Sequence, residues 1–215
     1  AGYQCAAVDH RGHGRSFREI RNLSLVTIGS FDDYILDLHD VVHKVVMKKM
    51  DPDPETLYLY GHSMGGCIAA RYAQVYPEDF KKVILSSPML GIIYDGVPAI
   101  VANAMAMTMR MMGFGNKKVF AHSEFSAAPH FEAACSDSES RYLYYQKRRC
   151  MDKNLRTNAA TYNWLVQASK GCRMATSAAN IDKIKAQVLL FSAENDTLVD
   201  AGAQKHFVSC AADAK

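Results

Sequence analysis

Ser63 stands in the pentapeptide Gly61-His62-Ser63-Met64-Gly65, directly after the apolar run Leu57-Tyr58-Leu59-Tyr60. G-x-S-x-G is the spacing of a nucleophile elbow, a sharp strand-to-helix turn that lifts a serine hydroxyl above a sheet edge. The five-residue pattern alone arises by chance in roughly one chain in fifteen of this length. Its context adds much more: a strand-like run before it, Gly66 to admit close packing, and an amphipathic segment after it. Ser63 is therefore the candidate nucleophile, and the N–H of Met64, at the start of the expected helix, is the candidate donor to a developing oxyanion.

A serine hydroxyl is nearly inert without a base and an orienting acid. His62 is badly placed as the base, because successive side chains leaving a strand point to opposite sides; it is read as a packing residue. For the acid, VLLFSAENDTLVD offers Glu194, Asp196 and Asp200 after a strand-like run. Asp196 is chosen, because it lies a few residues past the strand end, where a loop carboxylate reaches back along the sheet edge. Glu194 and Asp200 are expected to cap the next helix or meet solvent. His206, ten positions on, falls inside the helix-like GAQKHF and is read as a helix residue.

The elements that must position these groups follow from periodicity. YQCAAVD (3–9) reads as a short buried strand leading into a glycine-rich turn, DHRGHGRS, to which a structural role is assigned. Phe31, Ile35, Leu38, Val42 and Val45 recur at helical spacing, with Ser30 and Asp33 as a capping box and DPDPE as the terminator. A strand at 57–60, a helix from about 64 to 76 ended by Pro77, and the strand KVILSS make a βαβ unit, hence a parallel pair. AQVLLFSA (186–193) repeats the buried-strand pattern before a last helix. Strands alternating with helices imply an α/β layered domain. From about 89 to 180 the alternation stops, and that stretch is expected to be a mostly helical insertion.

Composition excludes other classes. With 215 residues, 49% hydrophobic and 22% charged, the chain suits one globular α/β domain with an inserted lobe. The net charge of +3 and the lack of any long Lys/Arg run argue against nucleic acid as a partner. The six cysteines lack CxxC or Cys/His metal spacing and are read as free thiols. The most apolar stretch, Val97 to Met112, is broken by Asn103, Thr108 and Arg110, too soon for a membrane span. No cofactor or metal is expected. His39 and His43 stand at i, i+4 with Asp40 beside them, but no third ligand is visible at useful spacing, so they are read as a solvated helix face. His10 and His13 belong to the glycine-rich turn, and His122 and His130 carry no readable signal.

The pieces GYQCAAVDHRGHGRS, SFDDYILDL, LYGHSMGGCIAARYAQVYP, VILSSPMLGI, TYNWL and LLFSAENDTLVD, in that order, resemble the lysophospholipase L2 and monoacylglycerol lipase group of the α/β-hydrolase superfamily, S33-type hydrolases. They cover nearly the whole chain, and Ala193 stands where relatives often carry glycine. The resemblance implies an α/β-hydrolase core (1–88 and 181–215) with a helical lid (89–180) over an acyl-chain pocket. It implies Ser63 as nucleophile, Asp196 as acid, Met64 as oxyanion donor, and a cytoplasmic protein or one at the inner face of a membrane. It also implies a His-Gly loop before Gly2, supplying a second oxyanion donor, and a catalytic histidine past another strand. Since only 19 residues follow Asp196 and the last of them, AADAK, show no closing strand, the chain is expected to be the middle of a longer enzyme, inactive alone.

The expected substrate is the ester of a single-chain lipid, with another small-ester hydrolase, a peptidase, or a non-catalytic lipid-binding relative as alternatives. In the lid, the run ANAMAMTMRMMGFG suits either lipid contact or an ordinary buried helix. Lys147, Arg148 and Arg149, near Tyr142, Tyr144 and Tyr145, suit either a phosphate head group or solvent, while Tyr162 and Trp164 suit a pocket mouth or plain core.

Overall fold

A computed structural model of the chain describes residues 2–50, 53, 57–94, 96–120, 122–133 and 136–215. In chain order the elements begin with β1 (Leu25–Val26), α1 (Asp32–Val41), a π-helical continuation Val42–Met50, β2 (Tyr58–His62), α2 (Met64–Val75) and β3 (Lys82–Ser86). Then come α3 (Ala99–Met109), a π-helical Arg110–Phe114, α4 (Glu139–Met151), β4 (Ala159–Ala160), α5 (Tyr162–Thr176), α6 (Ala178–Ile181), β5 (Gln187–Phe191) and α7 (Ala201–Cys210). The chain divides into two compact units, one of residues 1–8, 30–105 and 166–215, the other of residues 9–29 and 106–165.

The first unit is built on a parallel sheet in the order β2-β3-β5. Its register sets His62 opposite Ser86 and Ser86 opposite Phe191, so the carboxyl ends of all three strands finish level. That crossover requires the helix between β2 and β3 that the sequence pattern predicts. α2 is apolar nearly all round, with Cys67, Ile68, Ala69, Ala70, Tyr72 and Ala73 all buried, as expected of a helix enclosed on every side. It stops at Tyr76, one residue before Pro77.

Several expectations need correction. Residues 3–9 form no strand and are exposed, because no described residue lines up beside them to complete a ladder. The sheet is buried on one face only: Val83, Leu85 and Val188 are buried, whereas Tyr58, Tyr60, Leu189 and Phe191 are exposed. β5 is not the last element of the sheet, since the Val188 and Leu190 N–H groups donate to Asp213 O and Lys215 O, and Lys215 N–H returns to Val188 O. AADAK thus begins a further parallel pairing. The α1 cap is Phe31, without a side-chain capping bond. Past Val42 the wider π turn passes the buried stripe to Val46, leaving Val45 40% exposed. The terminator DPDPE, Asp53 apart, lies outside the described residues, as does Cys135.

The second unit contains a short element that the periodicity did not announce. β1 pairs in parallel with β4, Leu25 opposite Ala159 and Val26 opposite Ala160. Around it, Arg18 donates to Gly12 O, Gly14 O, Leu23 O, Asn154 O and the Thr157 hydroxyl, tying the DHRGHGRS turn to the end of the helical segment. The His122 ring accepts the Ala160 N–H at 3.0 Å, and burial together with Lys118 pushes its pKa down, favouring the neutral acceptor form. No helix among the described residues is long and apolar enough to cross a membrane.

Candidate functional site

Ser63 occupies the turn between β2 and α2 with φ 51° and ψ −119°. A residue with a Cβ pays of order 1–3 kcal/mol for such a conformation, which persists only where surrounding packing dictates it. The packing is visible at two glycines. A Cβ on Gly61 would lie 2.4 Å from Gly65 O, and one on Gly66 would lie 2.7 Å from Pro88 Cβ. No side chain fits either position, so the strand and helix approach closely and the bend falls on the serine. The Ser63 carbonyl accepts from Gly66 and Cys67, opening α2. At helix position N1 the Met64 N–H has no intrahelical acceptor.

The segment 86–93 ties this turn to the loop that carries Asp196. Ser63 N–H donates to Ser86 O at 3.0 Å, and Met89 N–H donates to Ser63 O at 2.9 Å. Further along, Ile93 N–H donates to Leu198 O at 3.0 Å, and Asp200 N–H donates to Gly91 O at 3.0 Å. Ser87, between them, is the second non-glycine residue with positive φ among the described residues, at 41°, and its N–H is held by Phe191 O. Ser63, Ser87 and the 192–200 loop thus all leave the level carboxyl edge of one sheet, the customary place for ligands in open α/β sheets. The sequence motif SSPMLGI held this brace; its signal was the unusual Ser-Ser-Pro at a strand end.

Within its loop Asp196 is half-buried, and one carboxylate oxygen, Oδ1, accepts from Leu198 N–H at 2.9 Å and Val199 N–H at 3.0 Å. Among the described residues nothing bonds the other oxygen. Asp200 caps α7 by accepting the Gly202 N–H at 2.7 Å. Beneath the serine turn, Cys67 and Cys172 are buried, and Cys172 Sγ donates to Met89 O. The hydrogen bond to Cys172, and then burial, push the Cys67 thiol well up, so it stays protonated. The described cysteines are all free.

The four imidazoles of this unit are engaged elsewhere. His62 is exposed, not packed, with Nδ1 3.0 Å from Ser86 O. His206 lies on α7 and meets Thr176 O at 3.1 Å. His39 and His43 stay partly exposed, but a third ligand-type group is present: both meet Asp79, which the loop after α2 brings from 36 residues beyond His43. In the second unit Arg149 is neither free nor solvated. It is 9% exposed, bonds Leu155 O, Thr157 O and Asn158 Oδ1, and stacks against Phe125. Lys147 and Arg148 are exposed, and Tyr162 is core. Two shallow hollows, of about 300 Å³ at Asn22, Phe125 and Arg156 and about 280 Å³ at Leu190, Gln204 and Val208, include neither Ser63 nor Asp196.

A family model described as serine aminopeptidase, S33, matches residues 1–215. Lysophospholipase L2 of Escherichia coli strain K12 is 25% identical over 200 residues, 93% of this chain and 57% of that protein. The chain therefore spans little more than half the length of this relative. Monoacylglycerol lipase of Mycolicibacterium smegmatis is 33% identical over 108 residues, 50% of this chain and 35% of that one. In three dimensions the chain is similar to a soluble variant of the monoglyceride lipase of Saccharomyces cerevisiae, at TM-score 0.67 and 17% identity, covering 96% of this chain and 64% of that one. The fold is that of the α/β hydrolases.

Proposed function

From the premise that the chain belongs to the serine aminopeptidase S33 family, a family of lipase- and lysophospholipase-type α/β hydrolases, we propose that it carries the nucleophile and acid of a serine hydrolase acting on a single-chain lipid ester. The substrate is a lysophospholipid or a monoacylglycerol, the classes named by its relatives. The observation that carries this reading is the backbone of Ser63: a strained, non-glycine conformation at the carboxyl edge of a parallel sheet, directly before a helix N-terminus.

Ser63 Oγ attacks the acyl carbonyl as a histidine takes its proton, and the Met64 N–H supports the oxyanion. The alcohol leaves with the proton returned by that histidine, and water then releases the fatty acid from the acyl-serine. Asp196, held through Oδ1, offers Oδ2 to orient the imidazole. His39, His43, His62 and His206 are engaged elsewhere and none is assigned as the base, nor is any histidine of the second unit; we expect the 215 residues alone to turn over ester slowly or not at all. The apolar run 97–114 leaves Ile100 84% and Met111 82% exposed, which supports contact of this stretch with a lipid surface.

The family description favours one rival, a peptidase. Protein expressed from the complete coding sequence is to be treated with a fluorophosphonate, then assayed on lysophosphatidylcholine, monoacylglycerol and an aminoacyl amide. Labelling lost in Ser63→Ala and turnover of a lipid ester are expected; failure to label removes the hydrolase reading, and amide turnover alone selects the peptidase. Asp196→Asn keeps an Oδ1 acceptor for Leu198 and Val199, so its melting temperature should hold while kcat falls by roughly 10⁴.

A further inference from the structure

We propose that His39, His43 and Asp79 form a binding site for a divalent transition-metal ion of the zinc type, apart from the serine site. The three residues come from separate segments: His39 from the last turn of α1, His43 from the π-helical continuation, and Asp79 from the loop after α2. Their ligating atoms lie within 4.8 Å of one another. Asp79 Oδ2 is 2.9 Å from His43 Nε2 and 3.7 Å from His39 Nδ1. Ligands about 2.0–2.1 Å from a tetrahedral zinc stand roughly 3.3 Å apart, a value these two distances bracket.

The local backbone favours the arrangement. In an α-helix, residues four apart are offset by about 40° around the axis; a wider π turn removes much of that offset. The change from α to π falls between the two histidines and sets their rings 4.2 Å apart. Surrounding groups orient the ligands, as outer partners do in metal sites. The Tyr72 hydroxyl donates to Asp79 Oδ2 and lies 3.3 Å from His39 Nδ1. Tyr76 stacks on the His39 ring at 3.9 Å and 10°. Side-chain exposures of 32%, 44% and 18% let an ion reach the site and leave room for water as a fourth ligand. Two imidazoles and one carboxylate are a donor set suited to zinc. Tyr72 lies nine residues past Ser63 along α2, about 13 Å by helix rise, so the ion would pin the far end of that helix to α1.

The test uses the purified, chelator-stripped protein, titrated with Zn²⁺ by calorimetry and with Co²⁺ by absorption. One saturable equivalent is expected, with tetrahedral Co²⁺ bands and a Zn²⁺-dependent rise in melting temperature. His43→Asn and Asp79→Asn should weaken binding by roughly tenfold or more. His43→Cys should retain binding and add a thiolate–Co²⁺ charge-transfer band, which keeps the question decidable if an Asn variant fails to fold. Absence of saturable binding by the wild type, or equal binding by the wild type and folded variants, would overturn the site and leave the cluster as a hydrogen-bonded polar knot.

Discussion

Two glycine-rich turns of this chain look alike in sequence and are built oppositely. In DHRGHGRS the left-handed positions are the glycines themselves, Gly12 at φ 80° and Gly14 at φ 51°, so the reversal is relaxed. In GHSMGG none of the glycines has positive φ; the left-handed position is Ser63, and Gly61 and Gly66 serve only to clear space. Glycine in the first turn removes strain. Glycine in the second concentrates it on a residue with a hydroxyl, as strained turns at functional sites do. The first turn is correspondingly knitted by side chains, with Arg18 donating to Gly12 O and Gly14 O and the Asp9 carboxylate accepting the Arg15 N–H. The second is held by backbone bonds from Ser86 and Met89, which leave the serine side chain unburdened.

Substituting Ser63 tests the contrast most severely. Ser63→Gly should abolish fluorophosphonate labelling of the full-length protein, a loss of at least about 10⁴ in rate, yet raise stability by about 1 kcal/mol in denaturant melts by relieving φ 51°. A loss of stability would mean the turn is not strained as described. Gly66→Ala should cost about 3 kcal/mol, because its Cβ meets the Pro88 ring at 2.7 Å and the brace cannot withdraw. In the relaxed turn, Gly14→Ala should cost about 1–2 kcal/mol: φ 51° is unfavourable for alanine, but the exposed Asp9 side chain it meets can move.

The smallest effect concerns His13, beside Gly14. Burial, with Arg18 adding, outweighs its bond to Arg11 O and the nearby Asp9 and lowers its pKa below the ordinary 6.5. The unfolded chain therefore takes up the proton first as pH falls through 6.5. Stability is highest above that pH, declines as the unfolded state protonates, and levels off below the folded pKa. His13→Asn should show a shallower decline between pH 7 and 5 than the wild type in matched denaturant melts.

Much of this was legible in local pattern. G-x-S-x-G after an apolar strand specifies a tight strand-to-helix turn, because only glycine fits beside the bend, and the βαβ spacing compels a parallel pair. Asp196 and Asp200 were separable by position, one in the loop and one at the helix cap, and the structure places each there. The faces of the sheet, by contrast, were not legible, since apolar strands read as buried whichever neighbour covers them. Nor was YQCAAVD, whose composition suits a strand that requires a partner beside it.

Residue types and short spacings determine what a backbone can do within a few bonds, and so the sequence by itself determined the βαβ unit, the later strand and helix that follow it, and the tight turn at the serine. Contacts between residues far apart in the chain were decided by tertiary structure alone. Only folding joined Asp79 to His39 and His43, enclosed Arg149 among carbonyls, paired residues 25–26 with 159–160, and used the 86–93 segment to tie Ser63 to the loop of Asp196. The reason is physical: these groups meet through the crossing of helices and the register of parallel strands, and neither leaves a period in the sequence.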